Sequence, residues 1–174
     1  MEKIQAHITE EIISSNSSEA KQLYNKSCFG EPKGEKIQYS LSEALFLVEK
    51  DKMEISSGKT ENKISKKDLI KKLLRIDKKL QLKYEVYKDL REKGYIVKTA
   101  LKFGADFRVY DKGKRPGKAH AKWVVFVEHE SNKLSWHEFS AKNRVAHSTK
   151  KNLLLAIVDE EGDISYYEVA WKKP

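Results

Sequence analysis

A phenol, an imidazole and an ammonium stand at three points of this 174-residue chain where extended segments begin or end. Tyr110 closes an alternating segment in which Phe107 and Val109 share one face and Asp106, Arg108 and Tyr110 share the other. His120 opens a segment that becomes the apolar run 123–127, which fits a buried strand. Lys151 stands just before a second such run, residues 153–158. Antiparallel pairing of the first two strands would put Tyr110 and His120 near each other at the mouth of loop 111–119. A third strand laid alongside would bring a lysine to the same edge. The loop region is basic, with Lys112, Lys114, Arg115, Lys118 and Lys122 against Asp111. Such a set suits transesterification of RNA. A base takes the 2′-hydroxyl proton, the oxygen attacks phosphorus, and an acid protonates the departing 5′-oxygen. The products are a 2′,3′-cyclic phosphate and a 5′-hydroxyl, and a fixed cation stabilises the phosphorane between them. His120, with an ordinary pKa of about 6.5, is the best acid. Tyr110 is left as base; its ordinary pKa of about 10 falls beside cations, which Lys151 would supply. The nucleophile belongs to the substrate, so no metal or cofactor is required. Each residue also has an ordinary reading, as a strand tyrosine, a hydrogen-bonded loop histidine and a surface lysine. The residue types alone favour those.

The elements that must hold these groups lie in the second half of the chain. Tyr95–Ala100 alternates as a strand. Residues 111–119 read as a loop through Gly113, Pro116 and Gly117. Ser135 and Glu138 form a capping box for a helix to about Ala146. Residues 164–171 are a last strand, reached through the acidic turn Asp159, Glu160, Glu161, Gly162, Asp163. The first half reads as a small α/β unit. Residues 4–13 offer a strand, 27–36 a loop with two glycine turns and Pro32, and 37–39 a short strand. Ser40 or Ser42 caps a helix to Lys50. Residues 56–62 are polar and glycine-containing. A helix starts at Ser65, with Leu69, Ile70, Leu73, Leu74, Ile76 and Leu80 near the helical period and lysines on its solvated face. Another runs over 83–93 and stops at Gly94. The boundary falls between residues 78 and 86, giving an N-terminal α/β domain over 1–82 and a catalytic domain over 83–174. The fold class is α/β, mixed α+β in detail, with a central mixed sheet flanked by helices in the second domain.

Bulk composition narrows the partners. The net charge is +9, with an excess of +4 in residues 1–83 and +5 in 84–174. A basic surface spread over both halves favours a polyanion. Cys28 is the single cysteine, so an intrachain disulfide and a CxxC zinc site are both excluded. It reads as a small buried apolar residue. No stretch approaches the roughly 18 apolar residues of a membrane span, and the N-terminus has no signal-peptide pattern. The reading is cytoplasmic, with no membrane.

Two longer motifs carry a resemblance. F-R-V-Y-D-K-G-K-R-P-G-K-A-H, residues 107–120, and N-R-V-A-H-S-T-K-K-N-L-L-L-A-I-V-D, residues 143–159, followed by D-I-S-Y-Y-E-V, resemble the catalytic segments of archaeal tRNA-splicing endonucleases. The resemblance is strong over 84–174 and fainter before it. It implies metal-free cutting of precursor tRNA at bulge–helix–bulge intron boundaries, and it maps the family's triad onto Tyr110, His120 and Lys151. Of Lys150 and Lys151, the family spacing selects Lys151. His147 is the main rival to His120. The family histidine is often followed by Ser and an aromatic; here Ala121 and Lys122 follow. Arg144 matches an arginine that clamps a flipped base, Trp171 reads first as a core tryptophan and second as another platform, and Arg115 and Lys114 would meet RNA. Asp159, Glu160, Glu161 and Asp163 resemble a loop that inserts into a basic groove of a neighbouring subunit. The last strand would pack at a two-fold interface, implying a homotetramer built as a dimer of dimers.

Two other readings are weighed. A non-catalytic RNA-binding or structural subunit has no need of an intact Tyr–His–Lys set. A metal-dependent DNA nuclease needs an Asp upstream of a strand-borne E-x-K. Glu31-Pro32-Lys33 is the tempting match, but it reads as loop and no Asp precedes Asp51.

Overall fold

Glu10 takes a left-handed backbone (φ 55) and turns the chain back on itself. The segment expected as one strand, 4–13, is therefore a hairpin of β1 (Ile4–Thr9) and β2 (Ile12–Ser15), with Ile8 opposite Ile13. The computed structural model describes residues 2–57 and 62–174. They divide into two units, Met1–Gln81 and Leu82–Pro174. The polar stretch 56–62 lies partly outside the described residues.

The first unit is a five-stranded sheet in the order β3-β4-β2-β1-β5, made with β3 (Glu31–Lys33), β4 (Lys36–Tyr39) and β5 (Met53–Ser57). β5 runs parallel to β1; the other pairs are antiparallel. Its helices are α1 (Ser18–Ser27), α2 (Leu41–Glu49) and α3 (Lys66–Ile76). Of the two candidate caps for α2, Ser40 serves. Its hydroxyl accepts from the Glu43 N–H, and the buried Glu43 carboxylate accepts from the Ser40 and Gly30 N–H groups. Ser65 caps α3, whose Leu69 and Leu73 are buried. Glu31-Pro32-Lys33, expected in a loop, is strand β3. It lies at the sheet edge, where a proline costs no ladder bond.

The second unit starts from α4 (Leu80–Glu92), which ends beside Gly94 at φ 91. β6 (Ile96–Ala100), a 3-10 turn over Leu101–Phe103, and β7 (Ala105–Tyr110) follow. β8 (Trp123–His129), α5 (Trp136–Ser148), β9 (Asn152–Val158) and β10 (Ile164–Val169) complete it. The strands form a mixed sheet in the order β10-β9-β8-β7-β6, with β8 and β9 parallel and the rest antiparallel. The parallel pair needs a crossover, and α5 supplies it. Both halves of its capping box form: Ser135 accepts from the Glu138 N–H, and Glu138 accepts from the Ser135 N–H.

Sheet register sorts the apolar residues between two faces. Val124, Phe126, Leu153 and Leu155 cluster with Ala146 of α5. On the other face Phe107 meets Tyr87 of α4, ring centroids 5.9 Å apart. Sandwiching the central strands between two helices is why β8 and β9 read as continuous apolar runs rather than alternating ones.

Candidate active site

The backbone of one residue ties three strand ends together. The Lys122 N–H donates to the Val109 carbonyl at 2.9 Å, and the Lys122 carbonyl accepts from the Asn152 N–H at 3.0 Å. Next to it, Trp123 is the register partner of both Val109 and Asn152. Tyr110 follows Val109, Lys151 precedes Asn152, and His120 lies two residues before Lys122. The C-terminal end of β7 and the N-terminal ends of β8 and β9 therefore share one edge of the sheet, and the three residues are brought to it. Their surroundings differ. Tyr110 is 4% exposed, His120 is exposed in the loop, and Lys151 is half-buried. The burial of the tyrosine ring was not visible in the alternation of β7, which distinguishes faces but not depth.

The position of Lys151 is fixed by how α5 ends. Thr149 is the C-cap and Lys150 takes a left-handed backbone at φ 55. The Lys150 N–H bonds the His147 carbonyl at 3.0 Å, and the Lys151 N–H bonds the Ala146 carbonyl at 2.9 Å. This is the double bond pattern of a Schellman cap, with lysine where glycine is usual. The cap stops the helix and delivers Lys151 straight into β9. The Lys151 Nζ donates to the Thr149 carbonyl at 2.8 Å and lies 5.4 Å from the Phe103 ring centre. Burial first, and the Arg108 charge second, hold its pKa below the usual lysine value. Among the described residues no carboxylate pairs with it.

The loop between β7 and β8 is pinned at both ends. Lys114 N–H donates to the Asp111 carbonyl, and the Arg115 carbonyl accepts from the Lys118 and Ala119 N–H groups. Lys114 is exposed and Arg115 half-buried. Lys112 Nζ lies over Tyr95 at 5.2 Å, Lys122 Nζ over Trp123 at 4.3 Å, and the two rings meet edge-on at 5.6 Å. Cations thus flank an aromatic pair beneath the loop. Ala121, where the resemblance leads one to expect a serine, is buried.

Arg144 is exposed on α5, one turn before His147. The His147 ring, the rival acid, lies against Trp171 with centroids 4.4 Å apart and the rings tilted by 46°. Trp171 is 53% exposed and lies two residues beyond Val169, the register partner of Leu153. The strand that Trp171 was expected to end stops at Val169. Sequence reading missed that Trp171 meets His147, and it passed over Phe103. Only the tertiary packing, which a sequence does not print, could have given the first. The acidic turn is self-bonded: Asp159 Oδ1 accepts from the Glu161 and Asp163 N–H groups at 2.9 and 2.8 Å. Its Gly162 and Asp163 line a cleft of about 430 Å³ against Glu85, Asp89 and Lys93 of α4 and its end. That cleft is separate from the edge where Tyr110, His120 and Lys151 gather. Among the described residues no cluster of three or more His, Cys, Asp or Glu is arranged to hold a metal, including around the strand-borne Glu31 and Lys33.

Comparison with known proteins covers both units. Residues 80–166 match the family model described as tRNA intron endonuclease, catalytic C-terminal domain, and residues 7–70 match that of its N-terminal domain. A tRNA-splicing endonuclease of Pyrococcus horikoshii is 44% identical over 162 residues, spanning 93% of this chain and 92% of the relative. One of Nanoarchaeum equitans is 46% identical, spanning 77% and 88%. One of Methanothermobacter thermautotrophicus is 37% identical, spanning 99% of each.

Proposed function

This chain belongs to the tRNA intron endonuclease family, and from that premise we propose how its own residues cut RNA. It is an endonuclease that cleaves precursor tRNA at introns. In our reading Tyr110 takes the proton of the 2′-hydroxyl at the cut, and that oxygen attacks the neighbouring phosphorus. His120 hands a proton to the leaving 5′-oxygen, and Lys151 stabilises the charge that gathers on the phosphorane. The products are a 2′,3′-cyclic phosphate and a 5′-hydroxyl. Base, acid and cation all come from side chains and the nucleophile from the substrate, so the reading is metal-free. The observation that carries it is the Lys122 backbone, whose two hydrogen bonds draw the ends of β7, β8 and β9 together.

The substrate reading follows from the same edge. RNA is read by shape and by bases splayed from bulges, and the bulge–helix–bulge is such a shape. Arg144 would clamp a flipped base, with Trp171 as a second platform, while Arg115 and Lys114 meet the backbone. Residues 83–174 form the catalytic domain and 1–82 the N-terminal one. The assembly is a homotetramer, a dimer of dimers: β10 is an edge strand open to a two-fold partner, and Asp159, Glu160, Glu161 and Asp163 enter a basic groove of a neighbour. Among the described residues no helix is long and apolar enough to cross a membrane. We place the enzyme in the cytoplasm, where its buried Cys28 thiol stays reduced.

The test is cleavage of a bulge–helix–bulge RNA in excess EDTA, with product ends identified, for wild type and His120→Ala. Wild type should cut both bulges and leave cyclic phosphates; His120→Ala should bind RNA as before while cutting falls about a hundredfold or more. Cutting that appears only with magnesium would overturn the mechanism, and an unimpaired His120→Ala would remove it as the acid.

A further inference from the structure

A second cation stands on the Tyr110 side of the sheet and has no part in the scheme above. Arg108 lies two residues before Tyr110 on β7, so their side chains leave the same face. Its register partner is Val124, and the partner of Val124 is Leu153, two residues past Lys151. Arg108 is therefore placed between the strand that ends in Tyr110 and the strand that Lys151 opens. It is near enough that its charge bears on the Lys151 ammonium. That ammonium is half-buried and turned toward a carbonyl and a ring rather than a carboxylate. Lys98, opposite Arg108 on β6, is itself buried. Holding two like charges close in a partly desolvated place disfavours the free protein. An anion between them reverses the sign of that interaction.

We propose that Arg108 and Lys151 form one anion seat, in which the phosphate at the cut lies between guanidinium and ammonium, so that Arg108 is a fourth residue of the reaction. This rests on the reading of Lys151 as the cation facing that phosphate. The planar fork of an arginine meets two phosphate oxygens at once, which an ammonium cannot do. Negative charge on those oxygens grows as the phosphorane forms. The contact therefore strengthens in the transition state, and its loss falls on kcat more than on KM.

The experiment uses wild type, Arg108→Gln, Arg108→Lys and Lys151→Gln on one bulge–helix–bulge RNA in EDTA. Each protein is also melted with and without inorganic sulfate as a phosphate-like probe, at equal ionic strength. We expect kcat of Arg108→Gln to fall about a hundredfold, as for the loss of one preorganised donor to a developing oxyanion, with KM within about threefold. Arg108→Lys should recover part of the loss. The sulfate-induced rise in melting temperature should shrink in Arg108→Gln and Lys151→Gln alike. Arg108→Gln cutting like wild type beside an inactive Lys151→Gln overturns the seat and leaves the triad standing. Lys151→Gln cutting like wild type overturns both. If Arg108→Gln melts below the assay temperature, Arg108→Lys carries the test: it keeps the charge without the fork, and a change confined to KM overturns the proposal.

Discussion

In the proposed scheme Lys151 serves chemistry at the expense of its own environment. Burial and then the Arg108 charge depress its pKa in the native state, whereas the unfolded chain titrates at the ordinary lysine value. The native state thus binds this proton less tightly. The resulting penalty on folding is fully present below the native pKa. It fades as pH rises through that value toward the unfolded one of 10.5. Lys151→Gln should therefore melt at or slightly above wild type at pH 7, by about 1–3 °C given the screening of a half-exposed group. The advantage should shrink by pH 10, while the proposed mechanism has cutting lost at both. Calorimetry at the two pH values checks this, and a variant that melts lower than wild type at pH 7 contradicts it. None of that balance was legible in the sequence. Residue type and place before an apolar run raised Lys150 and Lys151 alike, and only the family spacing chose between them; the neighbours of Lys151 come from β7 and from the 3-10 turn, more than 40 positions away.

At the level of elements, the cap of α5 is the device that aims the lysine. Lys150 holds the left-handed position that suits glycine, at a cost of about 1 kcal/mol for a side chain. Lys150→Gly should therefore keep both cutting and the melting temperature, against the loss of about 1 kcal/mol that glycine brings to an ordinary helical site. A thermal melt and a cleavage assay on the same preparation decide it, and lost cutting would shift the catalytic role toward Lys150. The capping boxes at Ser40 and Ser135 were readable because the signal is local: a hydroxyl and a carboxylate three residues apart. β8 and β9 were readable from their apolar runs and β7 from its alternation. The elements that escaped share a different logic. α1 buries only Ala20 and Leu23, too few for a period to show. β3 carries Pro32 and looks like a turn until it is seen to be an edge. β5 pairs with β1 across roughly fifty residues of sequence, and no local pattern announces a distant partner.

For the molecule as a whole, charge is distributed against its average. A chain of net charge +9 gathers four of its 26 acidic residues on one turn, stiffened by the Asp159 carboxylate and by Glu130, which accepts from the Glu160 N–H at 3.1 Å. If that turn joins two dimers, replacing Asp159, Glu160, Glu161 and Asp163 by their amides should move the particle toward dimers in sedimentation at low micromolar concentration. A tetramer that persists at every salt concentration would remove the turn from the assembly. The Lys122 backbone has a different consequence at this scale. Because its N–H and its carbonyl serve opposite neighbours, a local opening of the ladder at the start of β8 loosens the β7 and β9 ends together. In the proposed scheme one such opening disturbs the tyrosine side and the lysine side of the site at once.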